Sequence, residues 1–257
     1  MTALPRIMVA PNGARLTRAD HPALPVTIPQ IVQCAIDCAA AGADGLHAHV
    51  RDAAQRHVLD AGLYTELLAE LDRALPDFFT QITTEAVGQY TPAEQRALVY
   101  AVQPKAVSVA VREMCAAGEA ETDLRRFYHH CAEAGISLQH ILYDEADIHT
   151  LAAQVRTGTI PADTLQALIV LGRYSAGQVS APADLDAPAA ALLATFPHVD
   201  WAVCAFGAHE TACLSAAARK GGKARIGFEN NRLNSDQSLA ASNAERVSEL
   251  VANLAHS

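Results

Sequence analysis

Aromatic and basic residues are scarce in this chain, and their scarcity excludes one broad class of function. Aromatic side chains make up 5% of the 257 residues, and the formal net charge is −9 at pH 7. The basic residues are scattered rather than gathered in a stripe. A protein that binds a nucleic-acid backbone needs clustered Lys and Arg side chains, so nucleic-acid binding is not expected.

The sequence also has few of the signals that direct a chain to a membrane or an oxidising compartment. No apolar run reaches the roughly 20 residues that a membrane-spanning helix requires. The first residues lack the basic stretch and apolar core of a signal peptide. None of the six cysteines forms a Cys-x-x-Cys pair. These features predict a cytoplasmic protein with reduced thiols and no membrane partner.

Short apolar runs alternate with Ala- and Leu-rich helical patterns along the whole chain. No linker or low-complexity segment interrupts the pattern, which predicts one domain over residues 1–257. Strict alternation implies parallel strands with crossover helices, and eight units in this length is the number of a (β/α)8 TIM barrel, an α/β fold. A doubly wound open sheet is the alternative, but no Gly-x-Gly-x-x-Gly follows the first strand. The predicted strands are 6–10, 45–50, 78–83, 106–110, 137–142, 167–171, 201–205 and 225–228, and the predicted helices lie near 28–41, 60–73, 92–102, 122–134, 146–155, 184–196, 209–220 and 242–255.

Two histidines near the end of the second predicted strand point to a metal site. Side chains alternate along a strand, so His47 and His49 are expected to leave the same face. Two neighbouring imidazoles suit a zinc ion, and barrel active sites lie at the carboxyl ends of the strands. The alternative is that both rings only form hydrogen bonds near a surface.

A catalytic zinc ion usually takes three protein ligands and keeps one position open. Glu229 follows the eighth predicted strand, which neighbours the first strand in a closed barrel and so lies one place from the second. This carboxylate is a candidate third ligand. Its alternatives are a charge at a helix N-terminus or on the surface.

Several short segments together resemble the β-keto acid cleavage enzymes. The resemblance spans roughly residues 6 to 255, and together its motifs are specific. The matching segments are PNGA at 11–14, TRADHPALPVT at 17–27, HAHVRD at 47–52, QITTEAVG at 81–88, VLG at 170–172, WAV at 201–203 and GGKARIGFENN at 221–231.

The resemblance implies a zinc-dependent barrel that exchanges groups between a β-keto acid and acetyl-CoA, giving acetoacetate and a new acyl-CoA by a Claisen and retro-Claisen route. Relatives assemble as homo-oligomers, which is also expected here. Nickel, cobalt or manganese could replace zinc, because two imidazoles and a carboxylate do not select it strictly. The implied residues are His47, His49 and Glu229 as metal ligands, Arg225 as a catalytic arginine, and Thr83 and Ser108 as substrate contacts. Asn12 and Arg112 are further candidates for substrate binding.

Departures from the family pattern affect the proton-transfer step. The best-known members carry an Asp where this chain has Asn230, which cannot act as a base. They carry Gly where this chain has Glu85. We therefore expect the base to be Glu85, or a water molecule held by Asn230 and Arg225.

The arginines near the predicted strand ends bear on which substrate binds. Some family members have Glu at the position of Arg15, so the preferred charge of the substrate side chain is expected to differ. Arg15, Arg51, Arg112 and Arg173 are each candidates for binding a second carboxylate or a CoA phosphate, or they are solvated rim charges.

Two other functions remain open at this point. A metal hydrolase of the amidohydrolase type is also a barrel with His-x-His, but that pair should lie on strand one, with an Asp on strand eight. A non-enzymatic binding protein with a structural metal is the second alternative. The open ligand position and the charged strand ends disfavour it.

Overall fold

Eight parallel strands close into a barrel in the computed structural model, which describes residues 2–163 and 165–255. Each strand pairs with the next along the chain, and β8 returns to pair with β1 through Met8 opposite Arg225. The strands are Ile7–Val9 (β1), Gly45–Ala48 (β2), Phe79–Thr83 (β3), Ala106–Ala110 (β4), Ser137–Leu142 (β5), Gln166–Leu171 (β6), Asp200–Ala205 (β7) and Lys223–Ile226 (β8).

The helices form a layer around the barrel. They are Ile28–Ala40 (α1), Ala61–Ala74 (α2), Pro92–Val102 (α3), Val111–Met114 (α4), Glu121–Glu133 (α5), Glu145–Arg156 (α6), Asp186–Thr195 (α7), Glu210–Arg219 (α8) and Asn243–Ala255 (α9). Two short 3-10 turns, Ala176–Gln178 and Pro182–Leu185, lie between β6 and α7. The predicted (β/α)8 barrel is therefore confirmed, and the open-sheet alternative is wrong.

Two element boundaries differ from the prediction in ways that matter for the site. β2 ends at Ala48, so His49 lies one residue beyond the strand. β8 ends at Ile226 because the chain turns at Gly227, which has a φ of 142°. A Cβ atom on Gly227 would lie 2.5 Å from the carbonyl oxygen of Ala10. The short helix α4 was not predicted, since four residues are too few to show helical periodicity.

Several helices begin with the caps that their sequences encode. At α1, the Gln30 side chain accepts hydrogen bonds from the backbone N–H groups of Val26 and Thr27. At α3, Thr91 and Glu94 form a reciprocal capping box. Such caps satisfy N–H groups that have no partner inside the helix, and this fixes where each crossover starts.

Two layers of side chains build the core. The larger layer packs between the barrel and the helices, and a smaller cluster including Met8, Ile141, Leu168 and Cys204 fills the barrel. This filled interior closes the barrel, so a small molecule has access at a rim rather than through a pore. Among the described residues, no helix is long and apolar enough to cross a membrane.

Candidate active site

Three potential metal ligands converge at the carboxyl end of the barrel. His47 Nε2 lies 3.7 Å from Glu229 Oε2, and His49 Nε2 lies 3.6 Å from the same oxygen. The ligand atoms of the three residues lie within 4.8 Å of one another. The two strand-end histidines and the carboxylate after β8 are thus brought together as the sequence predicted.

The turn after β8 places Glu229 against the first strand. The Glu229 backbone N–H donates to the carbonyl of Ala10, 3.1 Å away. Gly13 is needed beside it, because a Cβ atom there would lie 2.5 Å from Glu229 Cγ. From behind, Glu210 accepts a hydrogen bond from the N–H of Gly227 and pairs with Arg246 at 3.1 Å. Glu229 is therefore held in place by its backbone and its neighbours.

His47 is oriented by a chain of amides inside the barrel. Its Nδ1 lies 2.8 Å from Gln81 Oε1, Gln81 donates to Gln139, and Gln139 donates to the carbonyl of Ala167. Because that carbonyl can only accept, the direction of the whole chain is fixed, and Nδ1 of His47 must donate. Its Nε2 then keeps a lone pair for a metal ion.

His49 contacts a histidine that the sequence reasoning missed. His49 Nδ1 lies 3.3 Å from His57 Nδ1, and His57 Nε2 lies 2.9 Å from the carbonyl oxygen of Glu85. Burial and the neighbouring His49 lower the pKa of His57 to about 3. The available signal was a third histidine eight residues after His49, within the same loop.

The protonation states suit a divalent cation. Burial, aided by the positive charge of Arg225, holds the pKa of His47 well below its usual value. Burial acts to raise the pKa of Glu229, but Arg225 and the two histidines hold it well below its usual range. His49 Nε2 and Glu229 Oε2 are buried and have no hydrogen-bond partner among the described residues. A neutral imidazole, an ionised carboxylate and nitrogen and oxygen atoms without hydrogen-bond partners are what a zinc-like ion requires of its ligands.

Arg225 lies beside the potential metal ligands. Its Nη2 is 3.2 Å from Glu229 Oε1 and 3.3 Å from Cys204 Sγ. Nε and Nη1 are buried without a partner in the described chain. Burial raises the pKa of the Cys204 thiol to about 11, so Cys204 stays neutral next to the guanidinium. Arg225 therefore has two free donor nitrogens at the cavity.

One cavity connects most of the predicted site residues. Its wall takes side chains from β2, β3, β4, β5, β6 and β8, and from the segments that follow β1, β3, β5, β6, β7 and β8. Of the ten residues predicted as metal ligands, catalytic groups or substrate contacts, seven line it, namely Asn12, His47, Thr83, Glu85, Arg225, Glu229 and Asn230.

Glu85 and Asn230 stand on this wall in different environments. Glu85 Oε2 lies 4.0 Å from His49 Nε2, and its Oε1 lies 3.5 Å from Arg173 Nη2. Both polar atoms of the Asn230 side chain are buried without a described partner. The carboxylate at position 85 is thus held by Arg173 near the potential metal ligands, and the amide at 230 is free to bind a ligand or water.

The two predicted hydroxyl groups and Asn12 differ in their bonding. Thr83 Oγ1 accepts a hydrogen bond from the N–H of Glu85, whereas Ser108 Oγ is buried without a described partner and lies off the cavity wall. Asn12 donates to the carbonyl of His49 and leaves its own oxygen unpaired. Asn12 therefore supports the backbone of the potential metal ligand His49 as well as facing the cavity.

Arg112 lies away from the cavity, and its guanidinium is already engaged. It binds Asp147 and Asp144 at 2.8 and 2.7 Å and lies over the ring of Tyr143. This placement does not support the predicted contact between Arg112 and substrate. The sequence could not reveal the pairing, since the two aspartates come from the next strand–helix connection.

The other rim arginines also separate into engaged and available groups. Arg51 donates to the backbone carbonyls of Asn12, Gly13, Ala14 and Gln55. Arg15 and Arg173 line the cavity, and Arg15 is exposed. Arg51 therefore holds the loop after β1 and Arg173 pairs with Glu85, while Arg15 is placed to meet a ligand.

A comparison with protein families shows to which family the chain belongs. The model of the beta-keto acid cleavage enzyme family matches residues 6–256. The chain belongs to this family. Membership makes it an enzyme that acts on β-keto acids and decides against the amidohydrolase and binding-protein alternatives.

Curated relatives agree with this family. The chain is 26% identical over 252 residues to a 3-keto-5-aminohexanoate cleavage enzyme of Fusobacterium nucleatum, covering 95% of this chain and 89% of the relative. It is 24% identical over 251 residues to the enzyme of the same name from Acetoanaerobium sticklandii, with the same coverage.

Solved structures share the fold of this family member. The ternary complex of ObcA with a C4-CoA adduct and oxalate superposes with a TM-score of 0.74 at 18% identity, covering 91% of this chain. The binary complex of ObcA with oxaloacetate has a TM-score of 0.72 at 16% identity, again over 91% of this chain. This chain spans about 64% of the length of each ObcA chain, and the likeness shows the barrel alone.

Proposed function

We propose that this family member binds a divalent metal ion, zinc in the simplest case, through His47, His49 and Glu229. With it, the enzyme would convert a β-keto acid and acetyl-CoA into acetoacetate and a new acyl-CoA. The observation that carries the proposal is the convergence of these ligand atoms beside the free nitrogens of Arg225. The names of the curated relatives and the CoA adduct in the ObcA complex support it.

The metal ion, when bound, would supply a Lewis acid for the keto and carboxylate oxygens of the substrate. Arg225 would add hydrogen bonds from Nε and Nη1 to oxygens that gain negative charge. Its buried position strengthens these bonds, because few water molecules compete for the guanidinium. The guanidinium group carries several N–H donors in one rigid plane, so it can bind two oxygens at once. An ammonium group cannot do this with the same geometry, which is a reason for arginine rather than lysine here.

Glu85 is our first choice for the base. Its carboxylate lies on the cavity wall near His49, and Arg173 keeps it in this position. A water molecule held by Asn230 and Arg225 is the second choice. Asn230 itself can position a proton donor or acceptor but cannot take the proton.

The proposed reaction returns every proton that it takes. Glu85 removes a proton from the carbon between the keto and carboxylate groups, and the carbanion attacks the acetyl-CoA carbonyl. CoA leaves as thiolate and attacks the original keto carbon. The bond between that carbon and the former carbanion breaks, and Glu85 returns the proton to acetoacetate. No serine or cysteine nucleophile takes part.

The remaining predicted residues fall into two roles. We propose that Thr83 and Asn12 contact the substrate from the cavity wall, and that Ser108 supports Thr83 from the facing position of β4. Arg15 lines the cavity, is exposed and forms no ion pair with a described side chain, so we propose that it favours substrates with a negatively charged side chain. We assign Arg112 a structural role, because two carboxylates occupy it.

The proposal is tested by measuring metal and product on the same preparations. Wild type, His47→Ala and the control His149→Ala, which alters an exposed histidine on α6, are analysed for bound metal. Each is then incubated with acetyl-CoA and a panel of β-keto acids with neutral, cationic and anionic side chains, and acetoacetate is quantified.

We expect about one metal ion per chain in wild type and in His149→Ala, and little in His47→Ala. Acetoacetate should form in the first two proteins only, and Arg15→Gln should lose its preference for the anionic members of the panel. Metal without acetoacetate from any panel member would contradict the reaction. Equal metal content in all three proteins would contradict the ligand assignment.

A further inference from the structure

His57 is buried beside His49 and lies off the cavity wall. Its two ring nitrogens face two different parts of the site, the ring of His49 and the backbone of Glu85. We propose that His57 is a positioning residue that holds a metal ligand with one nitrogen and the segment carrying the base with the other. The metal-affinity part of this proposal is independent of the reaction, whereas the role of Glu85 as base rests on the proposed function.

The hydrogen-bond directions follow from the groups involved. The carbonyl of Glu85 can only accept, so Nε2 of His57 carries the proton at this 2.9 Å contact. A neutral imidazole has one N–H, so Nδ1 of His57 has a lone pair. It lies 3.3 Å from His49 Nδ1, which must therefore donate. His49 is left with its lone pair on Nε2, the atom nearest Glu229.

This assignment explains why His57 matters for the metal. A ligand histidine that donates its second N–H to a fixed acceptor is held in one tautomer and one ring orientation. For His47 the acceptor is Gln81, which belongs to the amide chain inside the barrel. For His49 the acceptor is the ring of His57, which lies in the loop after β2. The orientation of His49 therefore depends on the contacts that hold His57 in place.

The other nitrogen of His57 fixes the segment that carries Glu85. The N–H of Glu85 donates to Thr83 Oγ1, and the N–H of Ala86 donates to Glu113 Oε2 at 3.1 Å. The bond from His57 holds the remaining carbonyl of Glu85. His57 thereby ties the loop after β2 to the loop after β3, and sets the distance between His49 and the carboxylate at position 85.

Two conservative variants separate these roles. In His57→Asn, the side-chain oxygen can replace Nδ1 as acceptor for His49, but the shorter side chain does not reach the carbonyl of Glu85. In His57→Gln, the terminal amide can reach that carbonyl, but no acceptor remains at the position of Nδ1. The matched control is His140→Gln, a buried histidine on β5 that bonds to the Gln166 carbonyl and touches no metal ligand.

Zinc affinity is measured by competition with a chromophoric chelator, and the visible spectrum of the Co²⁺ form reports the ligand geometry. We expect His57→Asn and His140→Gln to bind Zn²⁺ within about threefold of wild type, and His57→Gln to bind it roughly 10- to 100-fold more weakly. Equal affinity of His57→Gln and wild type would overturn the link to His49.

Hydrogen exchange of residues 83–89 measures the second role without an activity assay. Exchange in this segment should be faster in His57→Asn and close to wild type in His57→Gln. The same exchange rate in both variants would refute the link to Glu85. If both patterns appear but no acetoacetate forms, the positioning role stands and the proposed reaction fails.

Discussion

The charged and polar side chains at the two ends of this barrel differ in how completely they are paired. At the amino end, Asp200 accepts a hydrogen bond from Leu4 and pairs with Lys223 at 2.6 Å. At the carboxyl end, Arg225, Glu229 and Asn230 are more deeply buried yet keep polar atoms without partners in the described chain. The amino-end pair has its charges matched, whereas the carboxyl-end residues keep hydrogen-bonding atoms without a described partner even though Arg225 pairs with Glu229.

This difference indicates which end is maintained for stability and which for function. A buried polar atom without a partner lowers the stability of the folded state, and a ligand that supplies the missing hydrogen bond offsets this cost. The four predictions below test whether the two properties separate in this way.

The largest expected effect is on stability, behind the carboxyl end. In Arg246→Leu, the fully buried Glu210 loses its cation, and breaking such a pair costs about 3 to 5 kcal/mol. Urea unfolding measures the loss. The double variant with Glu210→Gln should recover part of it, and full stability in the single variant would contradict a supporting role for this pair.

Next comes Arg225→Lys, which keeps the positive charge beside Glu229 but removes the unpartnered nitrogens. We expect kcat/KM for acetoacetate formation to fall roughly 100- to 1000-fold, because donors aimed at developing charge contribute that much. Metal content and the unfolding midpoint serve as controls and should stay close to wild type. A comparable activity loss in an amino-end variant would remove the distinction between the ends.

A third prediction concerns an unpartnered atom away from both ends. His140 stacks on Tyr128, and burial lowers its pKa to about 4 from a usual 6.5. Since the unfolded chain binds the proton more tightly, this residue makes stability fall as the pH drops from 6.5 towards 4. At pH 4.5 the metal-free wild type should lose about 2 to 3 kcal/mol more than His140→Asn does, relative to pH 7.

The comparison is made by urea unfolding with a chelator present, so that loss of metal does not contribute. Other histidines titrate in both proteins and cancel. Identical pH dependence in the two proteins would show that His140 is accessible to protons in the folded state.

The smallest effect is expected for Asp200→Asn at the amino end. Asparagine keeps an acceptor for the N–H of Leu4 but loses the charge that faces Lys223. Both side chains are about one quarter exposed, so the cost should be about 1 kcal/mol or less. The value of kcat/KM should stay that of wild type. A fall in kcat/KM under conditions in which the variant remains folded would argue against a purely structural amino end.

The sequence predicted what depends on local pattern. Alternating strands and helices predicted the barrel, and the His-x-His pair with Glu229 predicted three potential metal ligands, whose ligand atoms do converge. It did not reveal contacts between distant elements. Gln81 bonds to Gln139 across 58 positions, and Arg112 pairs with Asp147 across 35. Such pairs have no spacing signature, so only closure of the barrel reveals them.

The amide chain behind His47 has a consequence for protein engineering. It runs from β3 to β5 to a backbone carbonyl of β6. His47 is therefore held by residues inside the barrel rather than by residues at the rim. The loop after β6, with Tyr174 and Val179 exposed, makes none of these bonds. New sequences can therefore be grafted after Arg173, which must stay to pair with Glu85, while the strands of the barrel still fix the geometry of His47.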